Sequence, residues 1–82
     1  MAEQDEIDVV ILTPERMIFE GKAKSLILPG EKGVFEVQPF HKKLLSRLVS
    51  GIIQLDGESL PIRRGVAKVG QNRVTVIVEE AG

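Results

Sequence analysis

Ile7-Asp8-Val9-Val10-Ile11-Leu12-Thr13 decides the fold. Its β-branched side chains pack well on a pleated surface and lose rotamer freedom in a helix, so the stretch reads as a strand. Val9 to Leu12 is apolar at every position, which predicts cover on both faces of the pleat, between two layers. A matching segment lies near the other end of the chain. In Arg73 to Val78, residues Val74, Val76 and Val78 share one face, opposite Thr75 and Ile77. Two short-stranded layers closing over these aliphatic side chains would make a sandwich.

Turn chemistry organises the rest. Thr13-Pro14-Glu15 breaks the first strand, and Met17 to Glu20 resumes it up to a turn expected at Gly21. Lys24 to Leu28 is a further short run, closed by Pro29-Gly30 in the form of a type II turn. Gly33 to Val37 alternates, with Phe35 and Val37 on one face. Ile52 to Leu55 meets Asp56-Gly57, a strong two-residue hairpin signal, and returns through Leu60 to Arg64. Pro61 has no N–H to donate, so that returning strand should be an edge or bulged. Val66 to Val69, a Gly70-Gln71-Asn72 turn and Arg73 to Val78 form a second hairpin.

Residues 41–52 resist this pattern. Leu44, Leu45, Leu48, Val49 and Ile52 recur at three and four, which on local grounds predicts a short helix ended by Ser50-Gly51. The alternative is two strands meeting at the same break. Met1 to Glu6 reads as a disordered tail and residues 7–82 as a single β domain of about eight to ten strands.

Composition bounds the function. A chain of 82 residues buries only about 60–65% of its unfolded surface, so it has one core, and a larger partner would stabilise it further. With no Cys there is neither a disulfide nor a thiolate site, and a lone His cannot build a zinc cage. Eleven basic against twelve acidic residues argue against general attraction to nucleic acid or anionic lipid. The acidic start lacks the basic and apolar regions of a signal peptide, and no apolar run reaches the ~20 residues a membrane helix needs, so a reducing, soluble compartment is expected.

His41 is the one neutral-pH base, with Ser46 and Ser50 nearby, but neither serine sits in a Gly-x-Ser-x-Gly elbow. Gly30-Glu31-Lys32-Gly33 has the wrong spacing for a phosphate-binding Walker loop and is expected to be a tight turn. Lys42, Lys43, Arg47, Arg63 and Arg64 could form a basic patch, making a small nucleic-acid-binding barrel the rival reading. With three Phe and neither Tyr nor Trp, stacking platforms for single strands are scarce. The loop through Phe40 and His41 instead suggests a protein-docking surface.

The pieces Asp8-Val9-Val10, Thr13-Pro14-Glu15, Phe19-Glu20-Gly21, Ser25-Leu26-Ile27-Leu28-Pro29-Gly30-Glu31-Lys32-Gly33, Gly65-Val66-Ala67-Lys68-Val69 and Asn72-Arg73-Val74-Thr75-Val76 occur in an order and spacing that carry a resemblance. The chain resembles the N-terminal β-sandwich domain of the epsilon subunit of F-type ATP synthases. The resemblance implies an all-β, flattened sandwich of two mainly antiparallel sheets of about five strands each, and it favours strands over a helix at 41–52. It implies a non-catalytic rotor subunit at the foot of the central stalk, binding the gamma subunit and the polar loops of the membrane c-ring. Torque from proton or sodium flow would pass through that joint. No cofactor, metal, small-molecule substrate, nucleic acid or membrane insertion is expected, and the location implied is the cytoplasmic face of a bacterial inner membrane.

The sequence departs from the family pattern at one loop. Where members show Pro-Gly-His-Ala-Pro-Leu-Leu, this chain has Pro39-Phe40-His41-Lys42-Lys43-Leu44-Leu45, and Glu36 replaces a further glycine. The partner-contact residues expected are Glu31, Phe40, His41, Lys42 and Lys43. The family's C-terminal helical hairpin has no counterpart in these residues, so no inhibitory arm or helical ATP site is expected.

Overall fold

A computed structural model describes residues 6–82, and most of the expected N-terminal tail therefore lies outside the described residues. Eight strands follow one another: β1 Ile7–Leu12, β2 Met17–Ala23, β3 Leu26–Gly30, β4 Gly33–Val37, β5 Leu44–Leu48, β6 Gly51–Leu55, β7 Glu58–Gly70 and β8 Arg73–Glu80. The all-β sandwich expected from the sequence is what the chain forms. Its two layers share a strand. One layer runs β2-β1-β8-β7-β5, and β6 joins the other end of β7 to β3 and β4.

The sharing follows from length. Thirteen residues at ~3.3 Å each reach about 40 Å, comparable with the molecule's greatest dimension of 39 Å. Such a strand must bend to stay on one core. Its register with β8 shifts between Ile62 and Arg64, and that bulge is the corner. Opposite it, β5 and β6 pair with successive halves of β7, interrupted at Val49 and Ser50. There the Val49 N–H donates to the Pro29 carbonyl at 2.9 Å and draws β3 into the corner.

Every strand contributes to one core, from Val9 and Ile11 on β1 to Val74, Val76 and Val78 on β8. β1 pairs parallel with β8, placing Val9 beside Val74 and Ile11 beside Val76. The expectation that β1 is covered on both faces needs correction. Val9 and Ile11 are buried, whereas Val10 and Leu12 are only half-buried on the outer surface of the sheet.

Four further local expectations are revised. Residues 41–52 form no helix, and the two-strand alternative holds, with Leu48 and Ile53 inward and Val49 and Ile52 half exposed. Gly21 lies inside β2, where a Cβ would come within 3.2 Å of the Phe19 ring. Pro29-Gly30 stays in β3 while the turn falls on Glu31-Lys32, with Gly33 at φ 128°. Gly30 is demanded by packing, since a Cβ there would stand 2.7 Å from the Phe35 ring. The second hairpin begins within the same continuous strand that ends the first, β7.

The Asp56-Gly57 hairpin forms as read, with both residues at positive φ, the signature of a type I′ turn. Pro61 lies beyond the paired end of β8, at the edge its missing N–H requires, and its carbonyl accepts from Ala81.

Candidate docking surface

The loop from Gln38 to Lys43 links β4 to β5. It reverses by a bond from the His41 N–H to the Gln38 carbonyl at 3.2 Å and by the left-handed backbone of Phe40, φ 67°. Asn72, in the β7–β8 turn, fixes that backbone: its Oδ1 accepts from the Phe40 N–H at 3.0 Å, and its Nδ2 donates to the Glu6 carbonyl at 2.8 Å. The Asp8 N–H donates to the Asn72 carbonyl at 3.1 Å. One side chain therefore ties the start of β1, the last turn and the 38–43 loop together. With its backbone held, Phe40 presents its ring to solvent at 67% exposure.

The expected contact residues divide around this loop. Glu31 and His41 line a shallow depression with Lys32, Leu45 and Arg47, because the Glu31 N–H donates to the Arg47 carbonyl at 2.9 Å and holds the β3–β4 turn against β5. Lys43 lines a separate depression with Lys68 and Arg73 beside the β7–β8 turn. Phe40 and Lys42 line neither and are exposed. Phe35 packs against the core, unlike Phe40.

Among the described residues, the His41 ring is hydrogen-bonded to neither a serine nor a carboxylate. The His41 Nδ1 lies 2.7 Å from the Lys42 carbonyl, and the Ser46 hydroxyl donates to the Arg47 carbonyl at 3.0 Å, so the two are not bonded to each other. The basic residues close in sequence also separate in space. Lys43 sits against Gly70, whereas Arg64 lies six residues back along β7, about 20 Å away. Arg64 Nε donates to Glu79 Oε1 at 2.7 Å, and Arg63 approaches the same carboxylate at 4.0 Å. That hydrogen bond, reinforced by the guanidinium charge, holds the Glu79 carboxyl below the usual carboxylate range. Lys43 and the Arg63–Arg64 pair thus stand at different points along β7, the latter facing Glu79.

One surface escaped the sequence reading. On the outer face of the β2-β1-β8-β7-β5 layer, pairing aligns Arg47, Val66, Ile77, Leu12 and Met17 in a row. Val66 is 43%, Ile77 47% and Met17 50% exposed, with Leu45 in the next row at 72%. The signal was present in Ile77, an apolar residue at an outward position of a strand whose inward face is already filled by valines.

Comparison with known proteins agrees with this architecture. The model of the family described as "ATP synthase, Delta/Epsilon chain, beta-sandwich domain" matches residues 6–82. A protein of Nitratiruptor sp. named ATP synthase epsilon chain is 44% identical over 82 residues, covering 94% of this chain and 64% of its own length. One of the same name from Campylobacter fetus is 36% identical, covering 92% and 62%. The chain thus spans somewhat under two thirds of these relatives. A chain in the mitochondrial ATP synthase of Euglena gracilis shares the fold at a TM-score of 0.85 and 19% identity, covering 95% of this chain and 53% of that one. A chain in the central stalk/c-ring structure of the Tetrahymena thermophila enzyme does so at 0.75 and 14% identity, covering 89% and 63%. With residues 6–82 matched by that family's model, this chain belongs to the ATP synthase delta/epsilon β-sandwich family.

Proposed function

We propose that the chain acts as a non-catalytic rotor subunit in the central stalk of an F-type ATP synthase, joining the gamma subunit to the membrane c-ring during proton- or sodium-driven synthesis. In this reading it works at the cytoplasmic face of a bacterial inner membrane as a peripheral part of the complex. The observation that carries the proposal is a pair of surfaces on one stiff sandwich: the apolar row through Val66 and Ile77 on a sheet face, and the loop of Phe40 to Lys43 at its margin. A body that transmits torque needs two attachments and a packed interior between them, and it needs no reacting groups. The names of the relatives, and the central stalk and c-ring of the Tetrahymena structure, support the same reading.

In this arrangement gamma covers the apolar row. Phe40, His41, Lys42 and Lys43 meet the ring, and Glu31 shapes the same end through the β3–β4 turn. Co-purification of the tagged 82-residue chain with gamma and with assembled c-ring at low salt is the test. Retention of both is expected. Retention of neither would sink the proposal.

A further inference from the structure

Phe40 combines two features that work against an isolated domain. A residue with a Cβ is disfavoured at φ 67°, and a large ring left at 67% exposure forgoes burial. The side chain of Asn72 enforces the conformation through the Phe40 N–H, so the outlier is built in from a strand turn 32 residues away. Such over-determined strain marks positions whose geometry serves a contact. Lys42 and Lys43 in the same loop, and Lys68 in the depression that Lys43 lines, are exposed and make no ion pair among the described residues. The pairs that do form involve Arg16, Lys22, Arg63 and Arg64.

We propose that Phe40 is a pre-aimed aromatic anchor that enters an apolar socket edged by carboxylates on a partner protein, where Lys42 and Lys43 meet the carboxylates. The inference rests on the rotor reading and specifies the chemistry of the surface that the loop meets. A backbone already held in place lowers the entropy lost on docking, and a buried aromatic at the centre of charged pairs is the composition of an interface hot spot. A protein socket fits better than an anionic membrane. A fluid bilayer gains nothing from a fixed backbone direction, and one aromatic with two or three lysines anchors only marginally.

The test compares the wild-type chain with Phe40→Asn, which accepts left-handed backbone, and Phe40→Ala, which keeps a Cβ there without the ring. Melting temperature and capture by immobilised gamma and c-ring are both read. Phe40→Asn is expected to melt a few degrees higher, and both variants to lose about tenfold to a hundredfold in affinity for the c-ring while capture by gamma stays at the wild-type level. Lys42→Glu with Lys43→Glu should slow association, and raising the salt should slow association of the wild type. Wild-type capture by the c-ring with equal capture of Phe40→Asn would overturn this inference alone, as would a melting temperature for Phe40→Asn at or below wild type. Capture of the wild type by neither partner would remove the rotor reading and the inference with it. Binding to phosphatidylserine vesicles lost on Phe40→Asn, with partner capture unchanged, would replace the socket by a lipid surface.

Discussion

At the scale of single residues, the chain is held by a few side chains that reach far in sequence. Asp56 accepts from the N–H groups of Lys24 and Ser25 at 3.0 to 3.2 Å, closing the β6–β7 turn onto the link between β2 and β3. Asn72 does more, since its amide bonds both the Phe40 N–H and the Glu6 carbonyl while its own backbone sits at φ 57°. Asn72→Ala should therefore cost about 2–4 kcal/mol, from two hydrogen bonds at ~0.5–1.5 each and a Cβ without a local partner in left-handed backbone. Asn72→Gly should cost less, because glycine takes that backbone freely. Denaturant titration of both variants checks the ordering, and equal losses would show that the backbone conformation contributes nothing. The sequence marked residues 70–72 as a turn but not the reach of the amide, because partners 32 and 66 residues away leave no local pattern. Phe40 was more legible: it stands where the resemblance expects glycine, and its positive φ is the conformation a glycine would supply without strain.

At the scale of elements, the corner where β7 changes layer governs the architecture, and glycines make it possible. A Cβ on Gly65 would lie 2.5 Å from the Ile77 carbonyl, and one on Gly51 2.7 Å from Pro29. Neither obstacle is the loose end of a flexible side chain, so the strands themselves would have to part. Gly65→Ala should destabilise by about 1–3 kcal/mol through overpacking. Gly70→Ala, on the same strand, would meet only Lys43 Cγ at 3.5 Å and should stay within about 0.5 kcal/mol of the parent. Thermal melts of the two side by side decide the matter, and indistinguishable shifts would refute the corner account. The same corner explains why residues 44–52 imitate a helix. In β5 the inward residues are Leu44, Ser46 and Leu48, whereas in β6 they are Ile53 and Leu55. The break at Val49-Ser50 moves the inward phase by one residue, while Leu45, Val49 and Ile52 stay apolar on the outside. Two strands out of phase, with apolar groups on both surfaces, produce a spacing of three and four without a helical turn.

At the scale of the whole molecule, the interior is aliphatic and the charges form a perimeter. The strong alternation of β8 and the hairpin at Asp56-Gly57 were legible because each depends on adjacent residues, whereas the sharing of β7 between layers depends on pairings that only the closed sandwich defines. Around this core, Lys22 donates to Asp8 at 2.8 Å, Arg64 to Glu79 at 2.7 Å and Arg16 to Glu80 at 2.9 Å. Hydrogen bonds from Lys22 and Arg64 lower the carboxyl pKa values of Asp8 and Glu79, and the bond to Asp8 raises that of Lys22. A depressed carboxyl adds stability that is complete above its unfolded value, near 4 for these residue types, and is lost as pH falls through the lower folded value. The raised Lys22 adds stability that is complete below its unfolded value, near 10.4, and is lost as pH rises through the higher folded one. Stability should therefore be flat between these limits, with a shallow acid limb, because exposed pairs are weak and salt screens them. In the double variant Asp8→Asn, Glu79→Gln, that limb should flatten, with a small loss at pH 7 that shrinks as pH falls through the lowered folded values. Melting temperatures measured from pH 2 to 7 at low and high salt give the comparison. An acid limb as steep in the double variant as in the parent would move the proton linkage to other carboxylates.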